Sequence, residues 1–187
     1  CMTALSNPEN KILSVMRIVE SNDDSHIRLN ANGGNSILLV CEPSHEQKYI
    51  DLIKKLMGTD KYALIDLNDL LCEFVSENRQ NIEDSFELLQ GSISQIFRLP
   101  NGEEGPDFFG LILKAIGKSF QSAKIPVLVH SGALYGTGID NIHIMEHEMI
   151  MRAAAPMVIL YPAIREKDRL MFLGCRSASK YRCLIIE

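Results

Sequence analysis

Several features are missing from these 187 residues, and each absence excludes something. No stretch approaches the ~20 uninterrupted apolar residues that a membrane-spanning helix needs. Asn7, Glu9, Asn10 and Lys11 break up any apolar run near the start, so no secretory leader is expected. The five cysteines, Cys1, Cys41, Cys72, Cys175 and Cys183, are odd in number and none has C-x-x-C spacing, which argues against a disulfide scaffold. Cys41, Cys72, Cys175 and Cys183 lie in or beside apolar runs and read as small buried hydrophobes in a reducing cytoplasm. Cys1 stands ahead of Met2, which reads as the natural start, so Cys1 is expected to be an added residue. There is no internal repeat and no low-complexity tract. G-x-x-x-x-G-K-[ST] is also absent. Without those glycines the backbone amides cannot wrap a phosphate, and without the lysine nothing neutralises it, so a working P-loop is excluded.

What is present describes a globular chain: 46% hydrophobic and 23% charged residues. At 21.0 kDa it can bury about 70% of its unfolded surface without staples. One domain is expected over 1–187, with a helix and polar loop over 1–35 ahead of a core over 36–187. The net charge of −5 argues against autonomous nucleic-acid binding. That average hides an asymmetry. Residues 62–110 hold ten acids (Asp66, Asp69, Glu73, Glu77, Glu83, Asp84, Glu87, Glu103, Glu104 and Asp107) against Arg79 and Arg98. Residues 165–182 hold Arg165, Lys167, Arg169, Arg176, Lys180 and Arg182 against Glu166 and Asp168. The plain reading is two solvated surfaces; the sharper one is an electrostatic docking surface for a partner or, within a complex, for nucleic acid.

Short apolar runs alternate with helical patterns. Residues 8–20 carry a helical stripe of Ile12, Val15, Met16 and Val19, with Asn7 as cap and Pro8 in the first turn. Residues 21–35 are polar with a glycine pair and predict a loop. Ser36–Cys41 reads as a strand buried on both faces. Pro43–Met57 predicts a helix stopped by Gly58, Tyr62–Leu67 a second strand, and Ile125–His130 a third. A helix is predicted from Asp140 to about Ala153, then a strand over Pro156–Pro162. Leu170–Gly174 and Arg182–Ile186 predict two closing strands as antiparallel neighbours. The fold class is therefore α/β: a three-layer sandwich with a mostly parallel central sheet, a helical excursion over 68–122, and antiparallel strands at the C-terminus.

Ligands of such sheets sit at the carboxyl ends of the strands. The loop after the third strand holds Ser131, Gly132, Gly136, Thr137 and Gly138, a candidate ligand loop. Asp140 puts its own negative charge at the following helix, and no Lys or Arg stands between 125 and 151, so the plainer reading is a conformationally demanding turn. Ser131 lacks the glycine that a nucleophile elbow needs at position 129, and a strand would turn His130 and Ser131 to opposite faces. His143, Glu146 and His147 spell H-x-x-E-H; on one helix they share a face and could hold zinc beside a general base. The plainer alternative is a polar helix face with Glu148 and Arg152 paired. Asp66 and Asp69 could hold a magnesium ion, or one of them caps the next helix. Arg165 could grip a phosphate or carboxylate, or stand as a solvated charge.

The order of ILLVCEPSHE (37–46), YALIDLNDLLCEF (62–74), PVLVHSGALYG (126–136), PMVILYPA (156–163), LMFLGC (170–175) and YRCLII (181–186) resembles the BrxB family of bacteriophage-exclusion (BREX) systems. The resemblance implies a degenerate P-loop-like α/β domain without nucleotide motifs. It implies a cytoplasmic, non-catalytic accessory protein that needs no cofactor. Its partners would be the system's phosphatase-like, methyltransferase or ATPase components, with no membrane attachment. Two alternatives remain: a metal-dependent hydrolase built on His143, Glu146 and His147, and a nucleotide-binding protein using 131–138.

Overall fold

A computed structural model describes residues 7–21, 24–88, 92, 94–100, 103, 105–178 and 181–187. The first helix, α1 (Pro8–Glu20), starts where Asn7 accepts the Glu9 N–H, and it buries Ile12, Val15 and Val19. A second helix, α2 (Asp24–Asn30), occupies part of the predicted loop over 21–35. Of its apolar residues Ile27 is buried and Leu29 points to solvent, with Ala31 buried just beyond its end, so tertiary packing rather than periodicity makes the helix. Asn32 and Gly33, both at positive φ, end it.

From there β1 (Ser36–Cys41) leads through a tight Pro43–His45 turn into α3 (Glu46–Leu56), then β2 (Tyr62–Asp66). Leu67 belongs to the next helix rather than to β2. The helical excursion consists of α4 (Leu67–Glu77), α5 (Arg79–Leu88), α6 (Ser94–Phe97) and α7 (Phe108–Gln121). Then follow β3 (Ile125–Val129), α8 (Asn141–Met145), α9 (Glu148–Arg152), β4 (Met157–Glu166), β5 (Arg169–Phe172), β6 (Arg176–Ser177) and β7 (Leu184–Ile186).

The central strands run β2-β3-β4-β1-β7, every neighbouring pair parallel. Along β1 the side chains alternate between two cores. Leu38 and Val40 join Phe74, Phe108, Ile112 and Ile116 on the α4–α7 face, while Ile37, Leu39 and Cys41 join Ile12, Val15, Ile50 and Ile53 on the α1–α3 face. These are the three layers.

The two closing strands do not pair with each other. β4 runs four residues beyond Pro162 and turns at Lys167 (φ 54°), so β5 lies antiparallel to β4, and β6 antiparallel to β5. β7 instead lies parallel to β1. All six residues of β1 are buried, and unpaired backbone groups on its outer side would be costly, so β7 is drawn to that side. The predicted helix from Asp140 to Ala153 is also two helices. His147 adopts an extended backbone (φ −64°, ψ 137°) between them and caps α9. Of the cysteines, Cys41 and Cys183 are buried as expected, but Cys72 and Cys175 are exposed. Cys72 lies about 100° round α4 from Leu71, off the packed stripe, and Cys175 lies in the turn after β5. Among the described residues no helix is long and apolar enough to cross a membrane.

The sheet's amino end is tied to the segment before β4 by Asn35. It is buried, and its side-chain N–H groups donate to the carbonyls of Ile150 (3.0 Å), Ala153 (3.0 Å) and Ala155 (3.1 Å). Asn35→Ala strands these acceptors and is expected to cost about 2–3 kcal/mol in urea unfolding.

Candidate functional site

The parallel sheet brings the carboxyl ends of β1, β2 and β3 to one edge. β1 is the point where strand order reverses, since the chain leaves it for β2 on one side and returns to β7 on the other. After β1 come Glu42, Pro43, Ser44, His45 and Glu46; β2 ends on Asp66; His130 follows β3.

Asp66 acts in two ways. Its Oδ1 accepts the backbone N–H groups of Asn68 (3.0 Å) and Asp69 (3.4 Å), capping α4. Both of its oxygens also lie 2.9 Å from Nδ1 of His130. Since an ionised carboxylate only accepts, Nδ1 carries the hydrogen, and Nε2 is left as the nitrogen able to take a proton or a donor. His130 sits in the left-handed region (φ 54°, ψ 44°), a conformation that non-glycine residues adopt only when their surroundings enforce it. The two side chains are 25% and 22% exposed, so the pair is partly shielded yet reachable.

Glu46, the first residue of α3, completes the cluster. Its Oε1 is buried and has no hydrogen-bond partner among the described residues. Burial pushes its carboxyl above the usual glutamate range; the charge and backbone N–H of His130 pull it down, and Asp66 pushes it up. Behind it, burial raises the Cys41 thiol to about 12, with Glu46 adding to the rise, so Cys41 remains a protonated thiol. The crevice thus holds two carboxylates at two helix N-termini and one imidazole locked by Asp66. It can accept a proton or a cationic group; it presents negative charge where a phosphate would otherwise sit.

Of the two readings of Asp66 and Asp69, the structure supports the cap: Asp69 lies exposed in the first turn of α4. Ser131 and His130 do not pair, because the buried Ser131 hydroxyl donates to the Leu160 carbonyl (3.1 Å). Sequence reasoning considered Asp66 and His130 separately and missed their pairing. The pairing depends on the β2–β3 register, in which Asp66 stands opposite Val129, one residue before His130.

The other candidates lie apart. In the glycine loop, Thr137 is buried and its Oγ1 donates to the Leu134 carbonyl (2.7 Å) and accepts the Ile139 N–H (3.2 Å). Gly136 and Gly138 are at positive φ, and a Cβ on Gly138 would lie 2.6 Å from that of Ser94. Gly132 packs near Leu173. The loop's hydroxyls thus serve its own fold. The zinc reading required His143, Glu146 and His147 on one helix, and the break at His147 removes that. His143 Nδ1 accepts the Asp140 N–H (2.9 Å), Glu146 pairs with Arg182 (3.5 Å), and His147 Nδ1 accepts the Met149 N–H (3.3 Å). Burial lowers the His143 pKa, and Arg98 adds to the effect. Among the described residues no three His, Cys, Asp or Glu side chains are placed to hold a metal ion.

The basic segment is partly neutralised. Arg165 forms a double contact with Glu187, its Nε at 2.8 Å; Arg176 pairs with Asp140 (2.7 Å) and Arg182 with Glu146. Arg169 stands opposite Glu166 in the β4–β5 hairpin, Lys167 forms its turn, and Lys180 lies outside the described residues. On the acidic side, Asp69, Glu73, Glu77, Glu83 and Asp84 are exposed along α4 and α5, with Val75 and Phe86 exposed among them.

Asp66→Ala is expected to cost about 1–3 kcal/mol, because a cap and a charge-assisted contact are lost together, whereas Asp69→Ala is near neutral in the same urea titration. Glu46→Gln tests the buried carboxyl. A raised folded-state pKa means that ionised Glu46 disfavours folding at neutral pH and that this cost disappears as the group protonates. The variant is therefore more stable than the parent at pH 7, by a margin that vanishes as pH falls below the ordinary glutamate range. Comparison of the chain with protein-family models, curated proteins and solved structures finds no match.

Proposed function

We propose that the chain is a cytoplasmic, non-catalytic adaptor of a BrxB-like bacteriophage-exclusion complex, working through protein–protein contacts. The observation that carries this reading is the chemistry at the mouth of the sheet. Where a nucleotide-binding relative of this architecture would need glycines and a lysine, the chain has Glu42-Pro43-Ser44-His45-Glu46. Asp66 caps α4 and Glu46 stands in the first turn of α3, so the mouth of the sheet already carries two carboxylates. A phosphate entering there would meet like charge.

The contacts would come from the segregated surface charge. α4 and α5 offer exposed carboxylates, with the exposed Phe86 one turn from Glu83, a mix of steering charge and apolar anchor suited to a basic partner. The methyltransferase, ATPase and phosphatase-like components of such a system are the partners proposed. The nucleic-acid alternative is weaker, since Arg165, Arg176 and Arg182 already pair with the chain's own carboxylates.

Co-purification with the products of neighbouring genes, at low and high salt, tests the proposal. A complex should form at low ionic strength and weaken as salt rises, and Glu73→Lys with Glu77→Lys should weaken it by about tenfold at low salt. Failure to form a complex with any of those products at any ionic strength would overturn it.

A further inference from the structure

Two histidines between β3 and β4 serve as hydrogen-bond acceptors at helix starts. His143 is the third residue of α8, the place that Glu or Gln takes in a capping box, and its Nδ1 accepts the Asp140 N–H (2.9 Å). His147 caps α9, its Nδ1 accepting the Met149 N–H (3.3 Å). A ring nitrogen accepts a hydrogen bond only while it carries no hydrogen. Both helix starts therefore require a neutral imidazole with its hydrogen on Nε2. His130 is the opposite case. Its Nδ1 donates to the Asp66 carboxylate, a role that protonation leaves intact.

The surroundings of the two rings matter next. The guanidinium groups of Arg98 and Arg176 act on His143, with the Asp140 carboxylate opposing them. Asp140 is itself paired with Arg176 through both oxygens (2.7 and 3.0 Å). Burial, with Arg98 adding to it, lowers the pKa of His143 from its usual value. His147 packs against Phe109, ring centres 6.2 Å apart, and the Arg98 guanidinium lies 5.0 Å from the centre of that same ring. The carboxylates on either side of His147 in the chain are engaged by arginines, Glu146 with Arg182 (3.5 Å) and Glu148 with Arg152 (2.7 Å). α8 and α9 have five residues each, too short to hold their shape by their own backbone bonds.

We propose that α8–α9 is a pH-sensitive element: protonation of His143 and His147 removes both helix-start hydrogen bonds and loosens the two short helices while the sheet stays folded. A protonated ring has no free lone pair at Nδ1, so the Asp140 and Met149 N–H groups lose their partners. At His143 the new charge also stands near Arg98 and Arg176. For His143 the direction is set by its lowered pKa. Its contribution is fully present above the ordinary histidine value of about 6.5 and is lost as pH falls through the lower value of the folded form. α8 also anchors two arginines of the C-terminal segment, Arg176 at Asp140 and Arg182 at Glu146, so the element that loosens is the one that holds that segment.

Amide hydrogen exchange of the full chain between about pH 7.5 and 5.5, read by NMR and corrected for the intrinsic rate, tests this. Protection of the Asp140 and Met149 amides is expected to fall on acidification, at Asp140 by up to about tenfold per pH unit. Protection in β1, at Leu39, should not change. His143→Gln keeps an acceptor at the capping-box position and His147→Asn keeps one at the cap, and neither titrates. The double variant should hold its protection at both amides across the range. Imidazole nitrogen shifts of the unsubstituted chain give a reading that does not depend on that variant folding. Both rings should carry their hydrogen on Nε2 at pH 7.5 and gain one on Nδ1 in step with the loss of protection. Unchanged protection at pH 5.5, an equal fall in β1 or in the double variant, or a hydrogen on Nδ1 of either ring at pH 7.5 would each overturn the proposal.

Discussion

The carboxylate of Asp66 joins three parts of the molecule: the end of β2, the N-terminus of α4 and the imidazole that follows β3. The contacts are backbone N–H donors at the positive end of a helix and a hydrogen-bonded ring. The consequence reaches beyond stability. At the carboxyl end of a parallel sheet, helix N-termini ordinarily offer their free amides to an anion from outside. In this chain the anion is built in. Glu46 adds a second carboxylate in the first turn of α3 without capping that helix, and its Oε1 is buried without a hydrogen-bond partner among the described residues.

This arrangement links fold to function. A central strand buried on both faces and paired on both sides fixes the sheet, and the sheet fixes which loop ends meet. The meeting place carries the carboxylates of Asp66 and Glu46 beside the His130 ring, so it suits a cationic group better than a nucleotide. On the proposed adaptor reading, partners would be chosen by a surface outside the crevice, the exposed carboxylates of α4 and α5. The arginines of the C-terminal hairpin stabilise the protein's own loops, linking Arg176 to the residue before α8 and Arg165 to the last residue of the chain.

Much of the architecture was legible in the residue order. Ser36–Cys41 has no polar alternation, which is the mark of a strand with both faces covered, and the capping role of Asn7 follows from residue type and position, whereas the residues alone left open which of Asp66 and Asp69 caps α4. What was not legible depends on contacts distant in sequence. Ile27 and Ala31 make a helix only because a core awaits them. β7 joins β1 because β1 needs a neighbour, which no local pattern in YRCLII expresses. His143, Glu146 and His147 fit a helical motif on paper, but a side chain capping its own neighbour ends the helix between them. The pairing of Asp66 with His130 spans 64 residues and requires knowing that β2 and β3 are adjacent and in which register.

Carboxylates at the mouth of the sheet should keep phosphate out. Isothermal titration with ATP and magnesium measures this directly, and no saturable heat is expected up to millimolar nucleotide. Micromolar, saturable binding abolished by changing Glu46 or His130 would contradict it.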